Sequence, residues 1–130
     1  MTFAEILAAL KAALSSSFSE YTVADSLTNA PAGFPHLFLI PLDMGPIPDD
    51  PGGRGPWQFQ WSLEVGIFEA STAEALEQKA RAESIRVSKA LVALSEPIVW
   101  VEQVTFGEQI EADGGRHKSA LIDFHTVGVL

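Results

Sequence analysis

The chain has 130 residues, 47% of them hydrophobic and 19% charged, with a formal net charge of −9. That balance fits one folded domain, residues 1–130, with a single core, and excludes a disordered chain. With 8 Lys and Arg against 17 Asp and Glu, the surface repels nucleic-acid phosphates, which excludes sequence-reading DNA binding. The absence of cysteine removes disulfide frameworks, thiolate metal sites and thiol nucleophiles. No apolar run approaches the roughly 20 residues a membrane-spanning helix needs. The first segment carries Glu5 among its apolar residues, unlike the basic start and continuous apolar stretch of a signal peptide. Synthesis in the cytoplasm, away from membranes, is the expectation.

Thr2 to about Ser15 reads as a helix. Thr2-Phe3-Ala4-Glu5 is a capping box, and Phe3, Ile6, Leu7, Leu10 and Leu14 fall on one face. The weak helix formers Ser15-Ser16-Ser17 should end it. With Lys11 as the sole cation on its polar face, core packing is favoured over a membrane-surface role. Tyr21 to Asp25 is a short strand candidate, and Thr28 to Gly33 is a loop by its Asn, Pro and Gly content. Phe34 to Leu42, bracketed by Pro35 and Pro41, reads as a strand buried on both faces at its centre.

Asp43 to Pro56 is dense in proline and glycine, which predicts a long loop without ladder pairing. It lacks the Gly-Lys-Ser/Thr of a phosphate-cradling loop and the alternating oxygens of an EF-hand. Such a loop is either a mobile surface segment or one ordered only against a partner.

From Trp57 to Ile67 the apolar residues Trp57, Phe59, Trp61, Leu63, Val65 and Ile67 alternate with Gln58, Gln60, Ser62, Glu64 and Gly66. A strand with this pattern has one greasy and one wet face. Ser71-Thr72-Ala73-Glu74 reads as a second capping box. The helix from Thr72 to Leu94 carries a core stripe of Ala73, Leu76, Ala80, Val87, Leu91 and Leu94. Glu77–Arg81 and Lys79–Glu83 are spaced as i, i+4 ion pairs. At about 100° per residue, Ile85 and Val92 point almost opposite the core stripe, one heptad apart. A pair of apolar residues so aligned is a candidate protomer interface.

Pro97 stops the helix. Ile98 to Glu111 and His117 to Leu130 then form a hairpin around Ala112-Asp113-Gly114-Gly115-Arg116, with a mixed face that offers a second surface for subunit contact. The histidines make no specific constellation. His36 beside an apolar run reads as a hydrogen-bonded residue. His117 and His125 share a strand face but lie roughly 26 Å apart at about 3.3 Å per residue, too far to share a metal. Asp123 and His125 are same-face neighbours, as in general-base pairs, yet no serine sits in a nucleophile-elbow context. The residues thus point to no catalysis, no cofactor and no metal.

This order of helix, short strand, proline-flanked strand, Gly/Pro/Asp loop, alternating strand, long helix and terminal hairpin is similar to the tail terminator (tail completion) proteins of long-tailed bacteriophages. These are the lambda-type terminators and their relatives in gene transfer agents. The pieces that carry the resemblance are Phe34-Pro35 leading into Leu37-Phe38-Leu39-Ile40; Trp57 to Val65; the Thr72–Leu94 helix; and Ser119-Ala120-Leu121-Ile122-Asp123-Phe124. The resemblance implies an α+β protomer: a mostly antiparallel sheet of about four to five strands with two helices packed on one face. It also implies a homohexameric ring in the virion, at the head–tail interface, that caps the tail tube and stops its elongation. The partners would be the major tail tube protein and the head–tail connector proteins. DNA would pass through the lumen without specific binding, helped by like-charged walls. Family contacts come largely from loops, which points to residues 43–56 and makes Asp49, Asp50 and Arg54 interface candidates beside Ile85 and Val92. The rival expectations are another neck or connector ring protein, or a small-ligand-binding α+β domain.

Overall fold

The computed structural model describes residues 1–28, 30, 33–47, 55–112 and 114–130. They form two helices and a six-stranded mixed sheet: α1 (Phe3–Ser17), β1 (Thr22–Asp25), β2 (His36–Pro46), β3 (Trp57–Glu69), α2 (Ala73–Val92), β4 (Val99–Phe106), β5 (Ile110–Ala112) and β6 (Gly115–Gly128). The α+β class agrees with the sequence. The sheet is larger than the four to five strands expected, because the short β1 and β5 both join it.

The strand order is β1-β2-β3-β6-β4, with β5 also paired to β6. All pairings are antiparallel except β1 with β2, which is parallel. The alternating strand β3 is therefore central, flanked along its length by β2 and β6.

The capping box at Thr2 forms as expected. The Thr2 amide donates to Glu5 Oε1 at 3.0 Å, and the Glu5 amide donates to Thr2 Oγ1 at 3.3 Å. Ile6, Leu10 and Leu14 are fully buried. The serines do not end α1, which runs through Ser17 to a cap at Phe18. Each serine costs only about 0.5 kcal/mol against alanine in a helix. Burying the Phe18 ring, which packs edge-on to Tyr21, returns roughly 2–3 kcal/mol and decides the end point.

The start of α2 differs by one residue from expectation. Thr72 is the N-cap, its Oγ1 accepting from the Ala75 amide at 3.0 Å, while the Ser71 hydroxyl donates to Glu69. With alanine three residues after the cap, no reciprocal carboxylate exists, and Glu74 serves the positive helix end from the first turn. Leu76, Ala80, Ser84, Val87 and Leu91 are buried. Ala73 proves exposed, and Ser84 joins the stripe because its hydroxyl donates to the Ala80 carbonyl at 2.6 Å. Glu77 pairs with Arg81 at 2.8 Å as expected. Lys79 does not reach Glu83. It donates to the Phe68 carbonyl at 3.0 Å instead, and Glu83 pairs with Arg86.

Both helices lie on one face and share a single core with the sheet. Trp61 stacks between Phe3 and Phe124, with ring centroids 5.3 and 6.2 Å away, and its indole N–H donates to Thr126 at 2.9 Å. Leu37, Leu39, Leu63, Val65, Ile67, Ala120 and Ile122 complete the centre.

The expected loop from Asp43 to Pro56 is shorter than its composition suggests. Asp43 to Pro46 belong to β2, with Met44, Gly45 and Pro46 opposite Phe59, Gln58 and Trp57. β1 flanks β2 only as far as Leu39. Beyond that point no described strand flanks β2 on its outer side, and at such an edge a proline without an N–H is tolerated. The first arm of the terminal hairpin is also broken in two, β4 and β5, around residues 107–109. Gly114 turns the chain into β6 with φ +77°, a conformation glycine adopts without strain.

Candidate assembly surfaces

Ile85 and Val92 stand where the helical spacing puts them, 56% and 53% exposed on the outer flank of α2. They are not isolated. α2 lies beside β4, and between them runs an open groove of about 500 Å³ lined by Arg81, Ser84, Ile85, Ser88, Lys89, Val92, Val101, Val104 and Phe106. The Arg81 guanidinium rests over the Phe106 ring at 4.6 Å and bonds Glu77, so its charge closes one part of the rim. Ser88 Oγ is shielded and has no hydrogen-bond partner among the described residues.

The apolar floor depends on an irregularity of β4. Val101 pairs with Phe124 and Gln103 with Asp123, so Glu102 is an extra residue in the ladder. This bulge returns Val104 and Phe106 to the helix side after Val99 and Val101. The slip from 99, 101 to 104, 106 in the apolar spacing is visible in the sequence and is the signal that finds these residues. β4 is also the last strand of the sheet among the described residues, so the groove adjoins an edge that no described strand pairs.

The helix-free face has a different chemistry. His36 is buried, with Nδ1 3.0 Å from the Gly33 carbonyl and Nε2 3.2 Å from Glu64 Oε1, which also accepts from Ser119 Oγ. Glu102 Oε1 lies 2.7 Å from His125 Nδ1 and accepts from Gln60. The Trp100 ring stacks on His125 at 5.0 Å. The carboxylate that His125 bonds is thus Glu102, from the β4 bulge, and not Asp123, its neighbour by strand spacing. Glu64, Glu102 and Asp123 are carboxylates of this face, Asp43 lies beside Gln58 and Gln60 at its β2 edge, and none of its described residues is Lys or Arg.

His117 sits at the other end of β6, between Phe34 and Phe68 with ring centroids 4.4 and 5.1 Å away. Among the described residues, no group of three or more His, Asp or Glu is placed to hold a metal, and no helix is long and apolar enough to cross a membrane. Asp49, Asp50 and Arg54 lie outside the described residues. Compared with known families and with curated proteins, the chain matches no family model and no curated protein.

Proposed function

We propose that this chain is a structural, non-enzymatic ring subunit: a tail terminator of a long-tailed bacteriophage or a related particle. It caps the finished tail tube, blocks further subunit addition, and offers the head connector its surface. The observation that carries this reading is the groove, where Ile85 and Val92 meet the floor of β4 at an open sheet edge. Apolar patches rimmed by polar residues mark interaction sites, and an unpaired edge strand is a template for another chain. The order of elements supports the same reading, since it is the order on which the family resemblance rests. The helix-free face, with its carboxylates and no described Lys or Arg, suits a channel wall past which DNA slides without sticking. A basic lumen in the assembled ring would refute that part. A neck or connector ring of the same particle would use the groove in the same way.

The test is a double substitution, Ile85→Glu with Val92→Glu. Both side chains are more than half exposed, so the folded protomer should change by about 0.5 kcal/mol or less per site. Ring formation, read by particle mass and negative-stain imaging of concentrated protein, should be abolished. Wild-type-like rings from the double variant would rule this interface out. The groove volume of about 500 Å³ also falls within the range of small-molecule sites. A large, specific thermal shift with one metabolite, on a protein that forms no ring, would favour that second reading.

A further inference from the structure

We propose that the Trp100 end of the helix-free face binds an arginine side chain of a different protein, with the indole as platform and Asp123 and Glu102 as counter-charges. The site stands apart from the ring reading, because a single protomer carries all of it. It begins at the β4 bulge. Without Glu102 the strand would alternate unbroken, with Val99, Val101, Val104 and Phe106 toward the helices and Trp100, Gln103 and Thr105 away from them. The fold therefore does not need the extra residue. What it adds is a carboxylate on the helix-free face, and bulges re-aim side chains in this way beside functional sites. Three strands meet at that carboxylate. Oε1 lies 2.7 Å from His125 Nδ1 on β6, and Gln60 Nε2 on β3 lies 3.1 and 3.2 Å from the two oxygens. Trp100 pairs with His125 across the strands, and the two rings stack within 10° of parallel. The Trp100 residue stays 44% exposed. It borders an open cavity of about 340 Å³, shared with Glu96, Pro97, Ile98 and Val127.

The hydrogen-bonding positions left open beside the indole are acceptors. Asp123, half-buried and about 6.6 Å along the strand from His125, makes no hydrogen bond or ion pair among the described residues. Glu102 Oε2 accepts only from Gln60, which leaves it a further lone pair. Glu96, on the cavity wall, is exposed and unpaired among the described residues. With carboxylates on both sides and no described Lys or Arg on the face, the complement is a cation. A guanidinium fits better than an ammonium. It is planar and weakly hydrated, so it can lie on an exposed indole while its fork of donors reaches a carboxylate. Its apolar stem, and an apolar neighbour in the partner's chain, would fill the cavity beside Pro97, Ile98 and Val127. The described arginines of this chain, Arg81, Arg86 and Arg116, already bond Glu77, Glu83 and Glu111. The arginine therefore comes from a different protein and not from a second copy.

The chain has 3 tryptophans, so incorporation of fluorotryptophan gives three fluorine NMR signals, and Trp100→Phe identifies the one that belongs to the site. The probe is the peptide acetyl-Leu-Arg-Leu-amide, with its citrulline counterpart as the uncharged control of the same shape. The Trp100 signal should move saturably at millimolar peptide, while those of Trp57 and the fully buried Trp61 stay in place. The citrulline peptide should bind about tenfold more weakly. Asp123→Asn and Glu102→Gln should each weaken binding about threefold, and together about tenfold, with an unmoved Trp61 signal showing that the fold is kept. Glu74→Gln, on the first turn of α2 and away from the site, should leave binding unchanged. No saturable movement up to about 20 mM peptide would overturn the site. Equal movement with the citrulline peptide would overturn the role of charge and with it the proposal. Equal displacement of the probe by magnesium at the same ionic strength, or equal weakening by Glu74→Gln, would show a diffuse cation atmosphere and overturn it as well.

Discussion

On the side covered by α1 and α2, β3 contributes Phe59, Trp61, Leu63, Val65 and Ile67, all buried, to one core shared with both helices. On the opposite side the same strand contributes Gln58, Gln60, Ser62 and Glu64, of which Gln60 bonds Glu102 and Glu64 bonds His36 and Ser119 across strands. The first set is held by apolar area removed from water, a term that grows with every neighbour. The second consists of local polar pairs, each contributing little beyond what water would supply. The comparison teaches that the covered face supplies most of the stability while the polar pairs of the other face supply less, and three substitutions test that division.

Trp61→Ala should have the largest effect. It removes a fully buried ring stacked between Phe3 and Phe124 and orphans the Thr126 hydroxyl. The expected loss is about 3–5 kcal/mol, a large share of the roughly 5–15 kcal/mol a domain possesses. A urea midpoint close to the wild type would show that the covered face is not the source of stability.

Asp25→Asn should come next. Asp25 is buried at the end of β1, 2.5 Å from Lys11 Nζ, and accepts from the amides of Leu27 and Thr28 at 2.9 and 3.1 Å. The Lys11 hydrogen bond, then the Leu27 amide, hold its carboxyl below the usual range against the opposing effect of burial. A depressed folded-state pKa stabilises the protein above the unfolded value and is lost as pH falls through the folded one. Wild type should therefore lose this contribution from about pH 4 downward, and the Asp25→Asn variant should lack that part of the acid dependence. At neutral pH the variant should lose about 2 kcal/mol. Parallel acid profiles for the two proteins would refute the assignment.

Glu64→Gln on the helix-free face should have the smallest effect, about 1 kcal/mol or less, because the side chain is partly exposed and the amide keeps an acceptor for Ser119. A loss above about 2 kcal/mol would mean that the polar face contributes to the fold on the same scale as the core.

Much of this division is legible in the residues. The period-two run from Trp57 to Ile67 and the 3.6-residue stripes of α1 and α2 identify the covered face before any coordinates. Periodicity names faces and not neighbours, so the insertion of β6 between β3 and β4, and the parallel entry of β1, are not legible. Composition misleads at Asp43 to Pro46, where proline and glycine suggest a loop and an open sheet edge accommodates a strand. At the start of α2, two adjacent hydroxyls compete for the cap and the choice falls to Thr72. The candidate surface is half legible: helical geometry exposes Ile85 and Val92, whereas Val101, Val104 and Phe106 join them only through the bulge at Glu102.

Gly66 lies directly opposite His36 across β2 and β3, and a Cβ placed on it would stand 2.3 Å from the imidazole. The ring occupies the space a side chain at position 66 would take, so two residues far apart in the chain share one volume. Changed singly, Gly66 meets a wall and His36 leaves a hole beside Glu64. Changed together, a small residue at 36 makes room for a methyl at 66, so the pair should show a strong favourable coupling. A survey of this protein that varies one position at a time would score both sites as intolerant and miss that they are a single degree of freedom.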